Sequence, residues 1–344
     1  MAMAGLMYCR NQHGINEMKN PVFQWRFLTP RYWPIWLVVA VVMLLAMLPW
    51  AVQKILSRFI GWAAWGLLKQ RRSDTLVNLR LCFPELDEQE HVRFSRMVFY
   101  HAALGIFETA NAWFRHLAFY RNRISFDGLE ELQAVIATGR GVLLLGAHYT
   151  SLDFGGALCS LYLPVDILYR PQNNALLEYI TLHRRRRIYQ WQIDHDNMRG
   201  VIKALKQGHV LWYTPDQDYG LRHGVFAPFF GVQAATITTP SRLVHASGAA
   251  LMFIHFYLRD DGGIHMSFLP APDDFPSGNA ARDATLINQQ LEAMIRFAPQ
   301  QYMWFHRRFK TRPAGEPVPY VKKRRQLREE KALQQRSEHE ENVH

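Results

Sequence analysis

A histidine and an aspartate five residues apart are the first candidates for chemistry in this sequence. His148 follows the apolar run 141–145, which is short enough for one buried strand, and Asp153 falls in the first turn of the apolar segment after it. A base at the C-terminal edge of a strand, oriented by a nearby carboxylate, has the geometry that proton abstraction requires. The pattern predicts His148 as a general base that Asp153 orients, with Ser151 as the N-cap of the following helix.

The same spacing occurs a second time, in His255 and Asp260. His255 lies inside the continuous apolar run 249–258, and Asp260 lies in a glycine-containing turn. A strand followed by a turn points the two side chains apart, so we expect His255 to be a core or strand-end histidine. The two His–Asp pairs have the same spacing, so only their surroundings in the sequence distinguish the catalytic candidate from the structural one.

Polar residues also follow the next two predicted strands. Arg170 should reach the same sheet edge as His148, where a guanidinium suits phosphate or carboxylate; an exposed loop arginine fits the sequence equally well. Asp216 and Asp218 lie between a strand and a glycine turn, where carboxylates commonly hold loops. A metal site is the alternative, but with only His223 nearby we predict none. A second short cluster is interpreted as a loop: Asp194-His195-Asp196.

The chain is strongly basic, with a formal net charge of +11, and its arginines are clustered. Arg184 and Arg185 belong to a run of four arginines that ends a predicted helix, where cations interact well with the helix dipole. Arg307 and Arg308 lie among aromatic residues, a pattern typical of nucleic-acid stacking or of a lipid headgroup surface. An anionic partner is expected, and the apolar N-terminal segment favours lipid over nucleic acid.

Strand and helix signals alternate over the rest of the chain, which predicts an α/β fold with a mixed central sheet flanked by helices. Residues 73–122 are predicted to be helical, with one segment from Pro84-Glu85 and another over 98–116. The predicted strands are 141–145, 166–169, 210–213, 249–258 and 265–269, and the predicted helices lie near 152–162, 176–188, 199–207, 239–247 and 286–298.

The N-terminal region contains residues 33–52 without a single charge, close to the roughly 20 residues that a membrane-crossing helix needs. Tryptophans near both ends suit an interface. A signal peptide is disfavoured by the long leader and the missing cleavage site, whereas a core helix remains open. Pro34 and Pro49 shorten the uninterrupted span, so shallow insertion also remains open. Residues 51–68 resemble a basic amphipathic helix at the interface.

Composition and cysteine content limit the classes to which the protein can belong. The 49% hydrophobic content supports a sizeable core, and the cysteines Cys9, Cys82 and Cys159 are too scattered for a disulfide framework, which suits a reducing compartment. We predict a polar segment at 1–31, a membrane anchor and interfacial helix at 32–72, a catalytic domain at 73–315 and a charged tail at 316–344.

Together these motifs resemble the bacterial lipid A biosynthesis acyltransferases, the lauroyl/myristoyl-type enzymes of the lysophospholipid acyltransferase superfamily. The likeness covers roughly residues 26 to 315 and is specific by combination. It rests on the His148-x4-Asp153 block, Tyr169-Arg170-Pro171, the block Thr214-Pro215-Asp216-Gln217-Asp218-Tyr219-Gly220 in place of the superfamily's Phe-Pro-Glu-Gly, Pro30-Arg31-Tyr32-Trp33, Asn78-Leu79 before Phe83-Pro84-Glu85, and residues 226–231 and 301–313.

The resemblance implies transfer of a fatty acyl chain from acyl carrier protein to a 3-hydroxyacyl hydroxyl of a Kdo-bearing lipid A precursor, without a cofactor or covalent enzyme intermediate. His148 and Asp153 would be catalytic, and Arg170, Asp216 and Asp218 would hold substrate or the loops of the site. The arginine clusters would bind the carrier protein and the acceptor. It also implies the bacterial inner membrane, with the site facing the cytoplasm. The alternatives are a glycerolipid or lysophospholipid acyltransferase and a non-enzymatic module that binds anionic membranes.

Overall fold

The computed structural model describes residues 22–259 and 261–321. Cys9, Asp260 and most of the predicted charged tail lie outside this range, so the expectations for them stay predictions. The described chain begins with 3-10 turns and a group of helices. These are the turns Trp25–Leu28 and Pro30–Tyr32, then α1 (Trp33–Met47), α2 (Trp50–Leu67), α3 (Lys69–Cys82), α4 (Glu88–Phe114) and a 3-10 segment over Leu117–Arg123.

Strands and helices then alternate, which confirms the predicted α/β class. The elements are β1 (Ile124–Asp127), α5 (Leu129–Ala137), β2 (Val142–Leu145), α6 (Leu152–Cys159), β3 (Val165–Tyr169), α7 (Ala175–Arg185), β4 (Gln192–Asp194), α8 (Met198–Lys206), β5 (Val210–Tyr213), β6 (Gly224–Phe229), β7 (Val232–Ile237), α9 (Thr239–Ser247), β8 (Ala250–Leu258), β9 (Ile264–Pro270), α10 (Ala280–Phe297) and the 3-10 turn Pro299–Gln301. The five strands predicted from sequence are all present. Five elements were not predicted: β1, α5, β4, β6 and β7.

The central sheet is mixed, as expected. Within the described residues it has seven strands in the order β1-β9-β8-β2-β5-β3-β4, and a separate hairpin is formed by β6 and β7. Neighbouring strands pair in parallel except β8 and β9, which are antiparallel. The strand β2 lies between β8 and β5 and consists of Val-Leu-Leu-Leu, all fully buried. An unbroken apolar strand suits this position because helices cover both faces of a parallel sheet.

The long helix α4 packs against α1, α2, α3 and α6. The prediction of two helices in this region was wrong: a single helix runs from Glu88 to Phe114. It begins at a capping box, in which the Asp87 carboxylate accepts from the Glu90 backbone and the Glu90 carboxylate accepts from the Asp87 backbone. This exchange satisfies amide groups at the first turn, so the helix begins there and not at Pro84.

The N-terminal helices carry the apolar surface that the sequence predicted. Among the described residues, one helical stretch, Pro30–Met47, is long and apolar enough to cross a membrane, and only 6% of it is buried. Proline at position 49 separates α1 from α2, because a proline ring is compatible with a helix start and not with a helix interior. The predicted domain limits at residues 31, 72 and 315 stay predictions.

Candidate active site

The candidate base, His148, lies just beyond the C-terminal end of β2, as its sequence position indicated. Its backbone is held on both sides: the His148 N–H donates to Asp216 Oδ2 over 2.9 Å, and the His148 carbonyl accepts from the Met303 N–H over 2.9 Å. The parallel pairing of β2 with β5 brings Asp216, which follows β5, to the same edge. The sheet and the Met303 segment therefore fix the backbone position of His148.

The carboxylate that contacts the imidazole belongs to Asp216. His148 Nδ1 lies 2.5 Å from Asp216 Oδ1, and the Asp216 side chain is 1% exposed against 18% for His148. Tyr302 donates a further hydrogen bond to Asp216. A carboxylate on Nδ1 holds the ring proton there, so the other nitrogen, Nε2, is free to accept a proton.

The two ionisable groups shift each other's pKa. Burial alone lowers the pKa of His148, but the charge of Asp216 and its hydrogen bond outweigh burial and raise the pKa above its usual range. Burial alone would raise the pKa of Asp216, whereas His148 and the hydrogen bonds lower it. The pair is therefore built to stabilise an imidazolium, which is the state that a general base reaches after it takes a proton.

The predicted role of Asp153 in orienting His148 is corrected by the structure. Asp153 Oδ1 accepts a hydrogen bond from Arg185 Nη2 over 2.7 Å, which joins the start of α6 to the end of α7. Ser151 is at the N-cap position of α6, but its side chain makes no capping hydrogen bond. The five-residue spacing thus places a carboxylate near the helix start, where the nearest cation binds it.

An apolar cleft of about 400 Å³ opens beside His148. Two of its lining residues connect directly to the base: Thr150 follows it by two positions, and Met303 binds its carbonyl. The other lining residues come from α1, α4 and the segment after Met303, namely Val42, Ala102, Gly105, Ile106, Thr109, Ala110, Trp113 and Phe305. The volume and lining suit a hydrocarbon chain whose reactive end lies near the imidazole.

Two other polar side chains lie close to the His148 ring. Thr214 Oγ1 lies 3.2 Å from Nε2 of His148, and the His306 ring centroid is 6.0 Å from the His148 centroid. His306 Nε2 lies 3.4 Å from Gln217 Nε2. Burial and the neighbouring His148 lower the pKa of His306, which favours its neutral form. Sequence reasoning missed Thr214, Tyr302 and His306 as neighbours of the His148–Asp216 pair, because they come from two segments that are far from His148 in the chain.

The predicted substrate-binding residues of the loops occupy different positions. Arg170 is exposed directly after β3, and its charge acts on Tyr219 of the next loop, so it lies at the expected edge. Asp218 is buried and accepts from the Thr311 backbone, the Thr311 hydroxyl and the Gly220 backbone. Its carboxylate holds two loops together, which is the structural alternative that the sequence left open.

The predicted arginine contacts divide into buried and accessible groups. Arg308 is 3% exposed and donates to the Ala235 carbonyl and the Thr236 hydroxyl of β7, so the prediction of a substrate contact for it is corrected. Arg307 pairs with Asp74 of α3 over 3.0 Å. Arg184 lies over the Phe114 ring at 4.5 Å.

His255 lies in the core, as the sequence predicted. It is 2% exposed on β8, and burial lowers its pKa to about 4.

The Asp194-His195-Asp196 cluster lies at the end of β4, with ligand atoms within 4.8 Å of one another. Its residues are partly or fully exposed, as ordinary loop residues often are, and the absence of metal ligands there stays a prediction.

Fold and site together define an α/β protein in which an imidazole held by a carboxylate lies near an apolar cleft. Residues 20–311 match the model of the family described as bacterial lipid A biosynthesis acyltransferase. The chain is 39% identical to the lipid A biosynthesis lauroyltransferase of Escherichia coli K12 over 305 residues, covering 87% of this chain and 99% of that protein. It is 36% identical to the palmitoleoyltransferase of the same organism over 301 residues, covering 87% and 98%.

A third relative, the lipid A biosynthesis myristoyltransferase of Escherichia coli K12, is 29% identical over 313 residues, covering 90% of this chain and 96% of that protein. The chain belongs to the bacterial lipid A biosynthesis acyltransferase family. The resemblance inferred from its motifs is thereby confirmed, and so is the class of enzyme, an acyltransferase.

Proposed function

We propose that this acyltransferase moves a fatty acyl chain from acyl carrier protein to a 3-hydroxyacyl hydroxyl of a Kdo-bearing lipid A precursor, at the cytoplasmic face of the bacterial inner membrane. The observation that carries the proposal is the His148–Asp216 pair, which lies close to an apolar cleft because the cleft-lining residue Met303 donates to the His148 carbonyl. Family membership supports the lipid A acceptor, since the relatives are named for lipid A acylation.

The chemistry follows from the geometry of the pair. Nε2 of neutral His148 takes the proton of the acceptor hydroxyl while its oxygen attacks the thioester carbon. Asp216 stabilises the resulting imidazolium from the Nδ1 side. The tetrahedral intermediate then collapses, the carbon–sulfur bond breaks, and the imidazolium returns the proton to the departing thiolate. A thioester is already activated, so the reaction requires no covalent acyl-enzyme.

Accessible cations would bind the anionic parts of the two substrates. Arg170 lies at the sheet edge next to the site and would bind a phosphate or the developing oxyanion. Arg184 and Arg185 end α7, with Arg185 held by Asp153, and we assign them to the acidic carrier protein or the phosphorylated acceptor. Arg307, paired with Asp74, retains partial exposure for the same role.

The test is acyl transfer by the full-length enzyme in detergent or lipid, from labelled acyl carrier protein to a lipid A precursor. His148→Ala should lower turnover by about 10²–10⁴-fold, the usual contribution of a general base. His245→Ala, at an exposed histidine of α9, is the matched control and should retain full activity. Thermal unfolding of both variants should match that of the unaltered protein.

Three outcomes contradict the proposal. Near-normal turnover by folded His148→Ala would show that His148 is not the general base. Transfer to lysophospholipid in preference to the lipid A precursor would favour the glycerolipid alternative. A mass spectrum of lipid A unchanged in cells that lack the protein would contradict the acceptor, whereas a missing chain would also give the length of the donor.

A further inference from the structure

The first helix is fastened to the catalytic domain at its N-terminal end. Phe27, in the 3-10 turn just before α1, is 1% exposed and forms a small apolar cluster with Leu176 and Ile180 of α7. Trp36 of α1 belongs to the rim of this cluster, and its indole N–H donates to the Phe27 carbonyl over 2.8 Å. The beginning of α1 is therefore anchored on α7.

The C-terminal end of α1 is fastened to the same domain. Arg115, which follows α4, donates through Nη2 to the carbonyls of Met47 and Leu48 at 3.3 and 3.1 Å. Gln53 Nε2 lies within 3.3 Å of the carbonyls of Leu45, Ala46 and Leu48. The last carbonyls of a helix have no partner within it, so these groups satisfy them and fix the end in place.

The middle of α1 also contacts the domain. Val42 lines the apolar cleft together with residues of α4, and α1 packs along α4. At 1.5 Å per residue, the 15 residues of α1 span roughly 22 Å. The helix therefore lies along the domain over its whole length, with its two ends on the same body.

The outward face of α1 is apolar and exposed. Leu37, Val41 and Leu44 are spaced to share one helix face and are 66%, 44% and 64% exposed. A contiguous apolar face of this kind is unfavourable in water and typical of contact with lipid or another protein.

In the second helix, α2, polar and small residues face the protein and apolar residues face outward, which is the reverse of an amphipathic helix in a water-soluble protein. Its buried residues are Gln53, Ser57 and Gly61, which recur every four positions and face α4. Gly61 permits close approach, since a Cβ there would lie 2.8 Å from the Tyr100 Cα atom. Gln53 is held inside by reciprocal amide hydrogen bonds with Asn111, at 2.9 and 3.2 Å.

The outward face of α2 consists of large apolar side chains. Val52, Ile55, Phe59, Ile60 and Trp62 are exposed. Polar residues inside and apolar residues outside are the arrangement expected where the surroundings are hydrocarbon. Exposed cations lie within or next to the two helices and suit anionic lipid headgroups: Arg58 lies within α2, Lys69 follows it, and Arg26 and Arg31 precede α1.

We infer that α1 and α2 form one membrane-contact surface that lies in the plane of a single leaflet, and that α1 does not cross the bilayer. A helix whose ends are both held by one domain cannot place those ends on opposite sides of a hydrocarbon core about 30 Å thick. The partner is the anionic leaflet itself: hydrocarbon contacts the outward faces, and headgroups contact the neighbouring arginines and lysine. Residues 22–32, which precede α1, then lie on the same side of the membrane as the catalytic domain.

Depth measurement along α1 tests this inference. Single spin labels at Leu37→Cys, Val41→Cys and Leu44→Cys, in a Cys9→Ser background with the buried Cys82 and Cys159 retained, are introduced into full-length protein in vesicles with anionic lipid. The measured quantity is the accessibility of each label to oxygen and to a water-soluble nickel chelate. Phe59→Cys on α2 and exposed Lys206→Cys on α8 serve as lipid-side and water-side references.

An in-plane helix predicts the same depth, within a few ångströms, at the three α1 positions and at Phe59. A crossing helix predicts a steady change of about 10 Å between Leu37 and Leu44, because they are separated by seven residues at 1.5 Å each. That gradient would overturn the inference, and so would chelate accessibility equal to that of Lys206 at all three positions. The readout does not use turnover, so its failure leaves the proposed reaction standing.

Discussion

Replacing Asp216 by Asn tests the reasoning about the site most directly. The change keeps the shape of the side chain but removes the charge that lies 2.5 Å from His148 Nδ1. The charge centres of imidazolium and carboxylate are about 4 Å apart, and an effective dielectric of about 20 gives roughly 4 kcal/mol of attraction. Loss of that stabilisation in the transition state corresponds to a decrease in kcat/KM of about 10³-fold.

The same substitution changes the pH dependence in a predictable direction. Asp216 raises the pKa of His148 above its usual range, and only neutral His148 can act as a base. Activity of the unaltered enzyme should therefore fall as pH decreases through this raised pKa. In Asp216→Asn the pKa of His148 falls, so the acid limb of the kcat/KM profile should move to lower pH while the plateau decreases.

Asp153→Asn is the matched control, because it makes the same chemical change at the carboxylate that the spacing alone would choose. Asp153 pairs with Arg185, so this variant should lower activity only through the position of that arginine and should leave the acid limb in place. The assay is the pH profile of acyl transfer for the three enzymes, with thermal unfolding to show that each is folded. A shifted acid limb in Asp153→Asn together with an unshifted one in Asp216→Asn would refute the assignment.

Two further variants test the core histidine and the cleft. His255→Ala should lower stability by about 2 kcal/mol or more, as buried large-to-small changes do, with little loss of kcat; inactivity of a folded variant would show that the wrong histidine had been chosen. Burial lowers the pKa of His255 to about 4, so the unfolded chain binds a proton at a higher pH than the folded chain does. The free energy of unfolding of the unaltered enzyme should therefore decrease by up to roughly 3 kcal/mol as pH falls from 6.5 to 4. Thermal unfolding should show that this contribution is absent in His255→Ala. Ala102→Phe places a ring in the cleft and should shift the preferred donor to a shorter chain, measured by competition between carrier-protein thioesters; an unchanged preference would mean that the chain binds elsewhere.

Local signals were enough to predict the position of His148 at the end of a strand and the central strands around it. The run before His148 is apolar at every position because β2 is buried on both faces, and this pattern is visible without any structure. Apolar runs elsewhere in the chain also predicted β3, β5, β8 and β9, and their alternation with helical segments predicted the α/β class. The strand β4 was not predicted because it has only the residues Gln192–Asp194, too few for an alternation to be recognised.

The partner of the base could not be predicted from spacing. Asp216 is close to His148 because β2 and β5 are adjacent in the sheet, and strand order is a property of the whole fold. Asp153 is close in sequence but projects from a helix start toward Arg185. Asp216 was noted as a polar residue after a strand, so only its role required the structure. Likewise, the buried position of Arg308 depends on β7, which the sequence did not reveal.

The position of Val42 in the cleft has a practical consequence for preparing the enzyme. Residues of α1 are the obvious ones to delete when a soluble fragment is wanted, but the deletion would also remove one wall of the cavity. It would leave the Arg115 guanidinium without the carbonyls that it now binds. A shortened protein should therefore be judged by its selectivity among donors as well as by its yield, because a broader range of accepted chains would report an opened cavity.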